Sequence, residues 1–327
     1  MDKLMDKYGR VLSYLRISVT DRCNLRCRYC MPPEGVQWIP HEKIMTFEDI
    51  DFLASSLMPM GIKKVRFTGG EPFVRKGFVD FLRQIKENHP DLRIAATTNG
   101  SMLSQYSRAL KDTGISGINV SLDTLDPEKF RFITRTDAYD DVIKGIRVFA
   151  ETTVIPLKIN TVLINGFNDD EIESLIRFAG EHRAVIRFIE FMPLDNDVWA
   201  ENRFIQADDI FQKLPGGTET WRALPPDSAH NHDGPATYYQ NRVTGQRIGV
   251  IAAVSHHFCE KCNRLRITAT GEMRACLFAN QGTDLLPLIR SRDIEALQRT
   301  IREAAFLKPK SWTVLENSER HMSQIGG

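Results

Sequence analysis

The sequence predicts an α/β fold of six successive strand–helix units, followed by a C-terminal segment of different character. From about residue 12, short β-rich runs alternate with amphipathic helical stretches, and the alternation stops near residue 195. Repetition of strand, helix, strand implies parallel pairing through crossover connections. The size fits: 327 residues, 42% of them hydrophobic, are enough for one large domain or two ordinary ones.

The strands read in order as "YLRISVT" (14–20), "KKVRFTG" (63–69), "RIAATTN" (93–99), "GINVSL" (117–122), "LKINTVLI" (157–164) and "VIRFIEFM" (185–192). Between them, "FEDIDFLASSLMPM" is apolar at Phe47, Ile50, Phe52, Leu53 and Leu57 and stops at Gly61. "GFVDFLRQIKENHP", "LSQYSRALKDTG", "AYDDVIKGIRVFAE" and "NDDEIESLIRFAGEH" have the same character, and Asn168 or Asp169 can cap the last. Six such units allow a doubly wound sheet or a (βα) barrel, complete or partial; they fall short of the usual eight. No G-x-G-x-x-G follows the first strand, which counts against a dinucleotide-binding fold. Farther on, "LPPDSAHNHDGPATYY" (224–239) reads as a loop or linker, and "QNRVTGQRIGVIAAV" as a hairpin around Thr244 and Gly245. "DIEALQRTIREAAF" reads as a helix, followed by a polar tail ending in Gly326 and Gly327. The expected division is 1–215 and 216–327.

Composition limits the function. Lys and Arg number 43 against 42 Asp and Glu, so net charge gives no reason to expect nucleic acid or an acidic membrane as partner. The start, "MDKLMDKYGRVLSYL", lacks the apolar run of a signal peptide, and no stretch approaches the roughly 18 apolar residues of a membrane span. A soluble cytoplasmic protein is expected.

In a parallel barrel, chemistry gathers at the C-terminal ends of the strands. Here the first strand runs into a cysteine loop, and the second ends in "TGGEP" (68–72). The third ends in "TTNG" (97–100), the fourth in "SLDT" (121–124) and the sixth in "EFMP" (190–193). Any one of these is ordinary loop chemistry; the set of them on one rim is a site. Arg16, Arg66 and Lys158 lie inside predicted strands, where charge is costly. Together they point to an anionic ligand in the barrel mouth, most simply a phosphate-bearing one.

All six cysteines fall into two triplets: Cys23, Cys27, Cys30 and Cys259, Cys262, Cys276. In a reducing compartment, clustered thiols more often bind metal than form disulfides. The first triplet is spaced C-x3-C-x2-C. Three thiolates can hold three corners of a four-iron cluster and leave one iron open, which distinguishes a reactive centre from a structural one. A zinc site completed by a distant ligand is the competing reading. The triplet, with "GGEP" at 69–72, resembles the radical S-adenosylmethionine (SAM) superfamily. The resemblance implies that the methionine moiety of SAM chelates the open iron and that one electron releases a 5′-deoxyadenosyl radical. It also implies that the glycines let backbone approach SAM, that Glu71 accepts its ammonium and that Tyr29 packs near its adenine.

The second triplet, C-x2-C-x13-C, is by spacing alone as compatible with zinc, completed by His256 or His257, as with iron–sulfur. The motifs "LRISVTDRCNLRCRYCMP", "RFTGGEP", "TTNG", "GINVSLDTLD", "KINTVLING", "RFIEFMP", "DGPA", "CEKCNRLRIT" and the final "GG" run in order from residue 15 to the last residue. They resemble the GTP 3′,8-cyclases, the A-protein family of molybdenum cofactor biosynthesis. That resemblance implies a partial (βα)6 TIM-type barrel closed by a C-terminal α+β domain. The domain carries a second three-cysteine 4Fe–4S cluster, whose open iron meets the guanine of GTP. The implied reaction turns GTP into (8S)-3′,8-cyclo-7,8-dihydroguanosine 5′-triphosphate. Arg16, Arg66, Thr97 and Lys158 match the GTP contacts on the barrel side, and Arg264, Leu265 and Arg266 those beside the second cluster. Of these, Arg16, Arg264 and Arg266 are the expected catalytic residues. Gly70, Ser121 and Met192 join Tyr29 and Glu71 as SAM contacts, and Gly326 and Gly327 reach into the active site. The implied partners are GTP, an electron donor and the next enzyme, cyclic pyranopterin monophosphate synthase; a homodimer is allowed.

Two other functions compete. One is a different two-cluster radical SAM enzyme acting on a peptide, which would have no triphosphate for Arg16, Lys158, Arg264 and Arg266 to neutralise. The other is a zinc-stabilised binding module with a decayed barrel, which would have no use for Glu71.

Overall fold

Alternation along six short strands decides the architecture in the computed structural model, which describes residues 3–193, 200–225, 234–315 and 322–325. The strands are β1 (Tyr14–Ser18), β2 (Lys64–Thr68), β3 (Arg93–Thr98), β4 (Gly117–Ser121), β5 (Leu157–Leu163) and β6 (Val185–Glu190). Each lies within the stretch expected from sequence. Helices α1 (Phe47–Leu57), α2 (Phe78–Asn88) and α3 (Leu103–Leu110) fill the first three crossovers. Helices α4 (Pro127–Thr134) and α5 (Tyr139–Thr152) fill the fourth, and α6 (Ile172–Glu181) the fifth.

Side-chain caps start two of these helices, while α6, with Glu171 at its N-cap, has none: Asn168 and Asp169, expected to cap it, accept instead from Ile164 and Gly166 N–H. Thr46 and Asp49 form a reciprocal capping box at α1. Asp126 accepts from the backbone N–H groups of Glu128 and Lys129 at α4, with Pro127 in the first turn. That helix ends at Arg135 in a left-handed conformation, φ 57°.

One face of every strand supplies the core. Leu15, Ile17, Val65, Phe67, Ile94, Ala96, Ile118 and Val120 are buried against Ile50 and Leu53 of α1, Phe81 and Ile85 of α2, and Ile146 and Phe149 of α5. Successive side chains alternate sides, so the residues between them face the hollow of the sheet.

The C-terminal segment adds β7 (Trp221–Ala223), β8 (Thr237–Asn241), β9 (Arg247–Ile251), β10 (Arg264–Ile267), β11 (Glu272–Arg274) and β12 (Thr283–Asp284). It does not stand beside the first sheet but extends it at both ends. The order is β12-β11-β10-β1-β2-β3-β4-β5-β6-β9-β8-β7. β10 pairs parallel to β1 and β9 parallel to β6, so both edges of the six-stranded sheet are covered. The expected hairpin is β8–β9, antiparallel. No helix among the described residues is long and apolar enough to cross a membrane.

Candidate active site

The inward face of the sheet is strongly basic. In register, Arg16 of β1 stands opposite Arg66 of β2 on one side and Arg266 of β10 on the other. Three guanidiniums therefore sit side by side across three strands. They line a cavity of about 1420 Å³, open mouth included, together with Thr97, Ser121, Asn160, Arg187 and Met192. Arg66 donates from Nε to the Tyr14 hydroxyl at 2.8 Å and from Nη1 to the Ala96 carbonyl at 2.9 Å. Arg187 donates to Asn160 Oδ1 at 2.9 and 2.6 Å. Lys158 donates to the Tyr238 hydroxyl, 3.1 Å away on β8.

Such a row resists its own charge. Burial, and then Arg266 beside it, hold the affinity of Arg16 for its proton well below the ordinary arginine value. Burial and Arg264 bring Arg266 to about 10. Burial alone would push the Tyr14 phenol up, but Arg66, Arg16 and Lys64 outweigh it and bring the group to about 7. A bound polyanion relieves the penalties on Arg16 and Arg266 together.

The first cysteine loop leaves β1 and docks on the end of α4. Arg26 and Arg28 donate their backbone N–H groups to the carbonyls of Thr134 and Ile133, each at 2.9 Å. Arg135, in its left-handed cap, donates to the carbonyls of Arg26 and Met31 at 2.9 and 3.0 Å. The Gly69–Gly70 pair serves this loop: a Cβ on Gly70 would lie 2.2 Å from the Arg22 carbonyl oxygen. Glu71 is buried beside it. Its carboxylate accepts from Phe73 N–H (3.1 Å), Thr98 Oγ1 (2.8 Å) and Asn99 N–H (2.6 Å). A carboxylate has about four lone-pair sites, so one remains for a further donor. Tyr29 donates to Asp123 Oδ2 at 2.5 Å, and both line the cavity.

Of the second triplet, Cys259, Cys262 and Cys276 all line the cavity alongside Arg264, Phe258 and Lys308; Cys23, Cys27 and Cys30 of the first do not. The thiols fit metal ligation. Burial, then Cys30, Asp123 and Cys23, push the Cys27 thiol well up. Burial also pushes Cys262 up, but Arg264 and Lys308 outweigh it and leave it at about 6. Crowded thiolates in the first site need a positively charged iron core, and the second is already pre-set for thiolate. Among the described residues no three His, Cys, Asp or Glu side chains are gathered as ligands of a single ion. Three free thiols in each triplet are the donor set that a cluster with one open iron requires.

The structure thus brings Arg16, Arg66, Thr97, Arg264, Arg266, Tyr29, Ser121 and Met192 to one cavity, whereas Gly70, Glu71 and Lys158 are not among the residues that line it: Gly70 packs on Arg22, Glu71 is taken up by Phe73, Thr98 and Asn99, and Lys158 turns to Tyr238. Leu265 is different. Its side chain is in the hydrophobic core, because strand alternation turns it away from its neighbours Arg264 and Arg266. Any GTP contact there is by backbone. Gly326 and Gly327 lie outside the described residues, although Met322 lines the cavity and Ile325 is buried. Sequence reasoning missed Tyr14, Arg187, Tyr238 and Lys308, whereas Asp123 falls in the "SLDT" strand end and Asn160 beside Lys158 inside the fifth strand. Arg187 carried the same signal as Arg66, a cation inside a strand; Tyr14, Tyr238 and Lys308 carried none.

Comparison with known proteins now has a geometry to meet. Residues 17–179 match the model of the radical SAM superfamily, and residues 184–314 that of Molybdenum Cofactor Synthesis C. The chain is 42% identical to the GTP 3′,8-cyclase of Peptoclostridium acidaminophilum, over 99% of this chain and 98% of that protein. It is 40% identical to the GTP 3′,8-cyclase of Alkaliphilus oremlandii, over 99% and 100%. Among solved structures, SuiB of Streptococcus suis bound to precursor peptide SuiA superposes with a TM-score of 0.63 at 15% identity. That match covers 93% of this chain and 67% of SuiB, and at such identity it speaks for the fold alone.

Proposed function

The chain belongs to the GTP 3′,8-cyclase family of the radical SAM superfamily, and on that premise we propose how its own residues share the work. The activity is conversion of GTP into the 3′,8-cyclised dihydroguanosine triphosphate, the first step of molybdenum cofactor biosynthesis. It uses SAM and two 4Fe–4S clusters. Bound on their triplets, the clusters supply the electron that cleaves SAM and an open iron for the guanine base.

Cys23, Cys27 and Cys30 hold the first cluster; Cys259, Cys262 and Cys276 hold the second. Glu71 offers its remaining lone pair to the SAM ammonium, while Tyr29, Gly70, Ser121 and Met192 shape the rest of that subsite. The triphosphate lies on Arg16, Arg66 and Arg266, with Lys158, Thr97 and Arg264 beside them. Guanidiniums suit this place because they grip phosphate bidentately and keep their charge while the base becomes a radical anion. Held there, GTP presents its ribose 3′ carbon to the SAM side and its base to the second triplet. Gly326 and Gly327, which lack side chains, belong to the same proposal as contacts to GTP.

The observation that carries this reading is the three-arginine row in a cavity that the second cysteine triplet also lines. A peptide substrate has no triphosphate for that row. The remaining expectations join the proposal: a cytoplasmic enzyme, fed by an electron donor, handing its product to cyclic pyranopterin monophosphate synthase.

The test uses anaerobic, iron–sulfur-reconstituted protein with SAM and a strong reductant. 5′-Deoxyadenosine is measured with GTP, ATP, guanosine or no substrate. GTP-dependent release, matched by a new nucleotide of the mass of GTP, supports the assignment. Release indifferent to GTP would sink it.

A further inference from the structure

Lys308 is a buried lysine, 3% exposed, that lies far from every strand of the barrel in sequence. Its ammonium donates to the Arg264 carbonyl at 3.0 Å and to the Ala275 carbonyl. Those two carbonyls belong to the segments that carry Cys262 and Cys276. Lys308 lines the cavity together with Cys259, Cys262 and Cys276. The third ligand segment is tied to the same stretch of chain. Arg10 donates to the Cys259 carbonyl at 2.6 Å and to the Pro309 carbonyl at 2.6 Å. Asp6, which pairs with Arg10, closes the clamp from the N-terminus.

A buried ammonium is costly unless something nearby carries the opposite charge. Carbonyls answer its hydrogen bonds but not its charge. A cluster core with three thiolates does, and its negative charge grows with each electron taken up. A fixed cation bonded to the segments that carry the cluster's ligands therefore favours the reduced cluster over the oxidised one.

We propose that Lys308 is the fixed positive charge of the second cysteine site, a positioning residue that raises the reduction potential of the iron–sulfur cluster held by Cys259, Cys262 and Cys276. The proposal rests on the reading that this triplet holds a cluster. The redox event is a single-electron reduction of that cluster, the electron coming from the titrant.

The full-length chain is prepared with Cys23→Ser, Cys27→Ser and Cys30→Ser, so that only the second cluster can form. Iron is counted, and the cluster is titrated with dithionite and followed by electron paramagnetic resonance. Lys308→Met keeps the length and removes the charge; Lys308→Arg keeps the charge. The expected result for Lys308→Met is full iron with the reduction equilibrium at least tenfold less favourable, a shift of about 59 mV to more negative potential for one electron. Lys308→Arg should stay near the parent. Iron lost in Lys308→Met but restored in Lys308→Arg also supports a role for charge. An unshifted potential in an iron-replete Lys308→Met protein overturns the proposal, and so does loss of iron in both variants. If the parent itself binds no iron–sulfur cluster, the failure belongs to the functional reading instead.

Discussion

Gly70→Ala should dismantle the first cluster site through backbone packing alone. The new Cβ would stand 2.2 Å from the Arg22 oxygen, 2.5 Å from the Arg22 carbonyl carbon and 2.9 Å from the Cys23 nitrogen, where ordinary contact begins at 3.4 Å. All three atoms are backbone, so no rotamer change relieves the clash. The neighbouring bond from Glu71 N–H to the Arg22 carbonyl, 2.7 Å, must lengthen as well. Overpacking of this kind costs about 1–3 kcal/mol and a lost hydrogen bond about 1 more. The least costly relief moves residues 22–23, and Cys23 moves with them. Iron per chain after anaerobic reconstitution should fall toward half, with the second cluster retained and SAM binding lost. Circular dichroism and the denaturant midpoint separate this from general unfolding: helix content should persist while the midpoint drops modestly. Full iron together with unchanged SAM affinity would refute the reasoning.

Four further outcomes are expected. Burial pushes the Glu71 carboxyl up from 4.5 to about 7, against the lowering by its bonds from Asn99, Phe73 and Thr98. The native state then holds that proton to higher pH than the unfolded chain, so the contribution of Glu71 to the stability of the cluster-free protein is full below 4.5 and is lost as pH rises to about 7. Denaturation at a series of pH values should show that fall, and Glu71→Gln should flatten it. Arg16→Met should weaken GTP binding by roughly 10- to 150-fold, the worth of a charged hydrogen bond, yet leave the ligand-free protein as stable or more so; a lower melting temperature with unchanged GTP affinity would contradict this. Tyr14→Phe leaves Arg66 Nε without the acceptor it has at 2.8 Å, which should cost about 1–3 kcal/mol in denaturant titration and loosen GTP binding. A chain ending at Ile325 should melt like the full one but lose most cyclase turnover; full activity would show that the two terminal glycines are dispensable.

The sequence by itself determined the six barrel strands, five of the six helices between them and both cysteine triplets. Those strands and helices were legible because period-2 and period-3.6 patterns are local, whereas the short α4 was not read and α6, with Glu171 at its N-cap, lacks the cap expected from Asn168 or Asp169. The triplets were legible because six cysteines in two tight groups have few structural explanations. Arg16, Arg66 and Lys158 announced themselves as charges where a strand should be apolar. Tertiary structure decided the rest. Strand pairing across almost the whole chain put Arg266 in register with Arg16, and the same pairing turned Leu265 into the core. The C-terminal segment covers both open edges of the sheet, with β10 on β1 and β9 on β6, and no local pattern encodes which edge a late strand will find. Tyr14, Tyr238 and Lys308 look ordinary in sequence, since a phenol or an ammonium becomes a counterpart to charge only when folding buries it beside one. Local periodicity says which face a residue takes along its own strand; only long-range register says what stands opposite, and the chemistry of this cavity lives in what stands opposite.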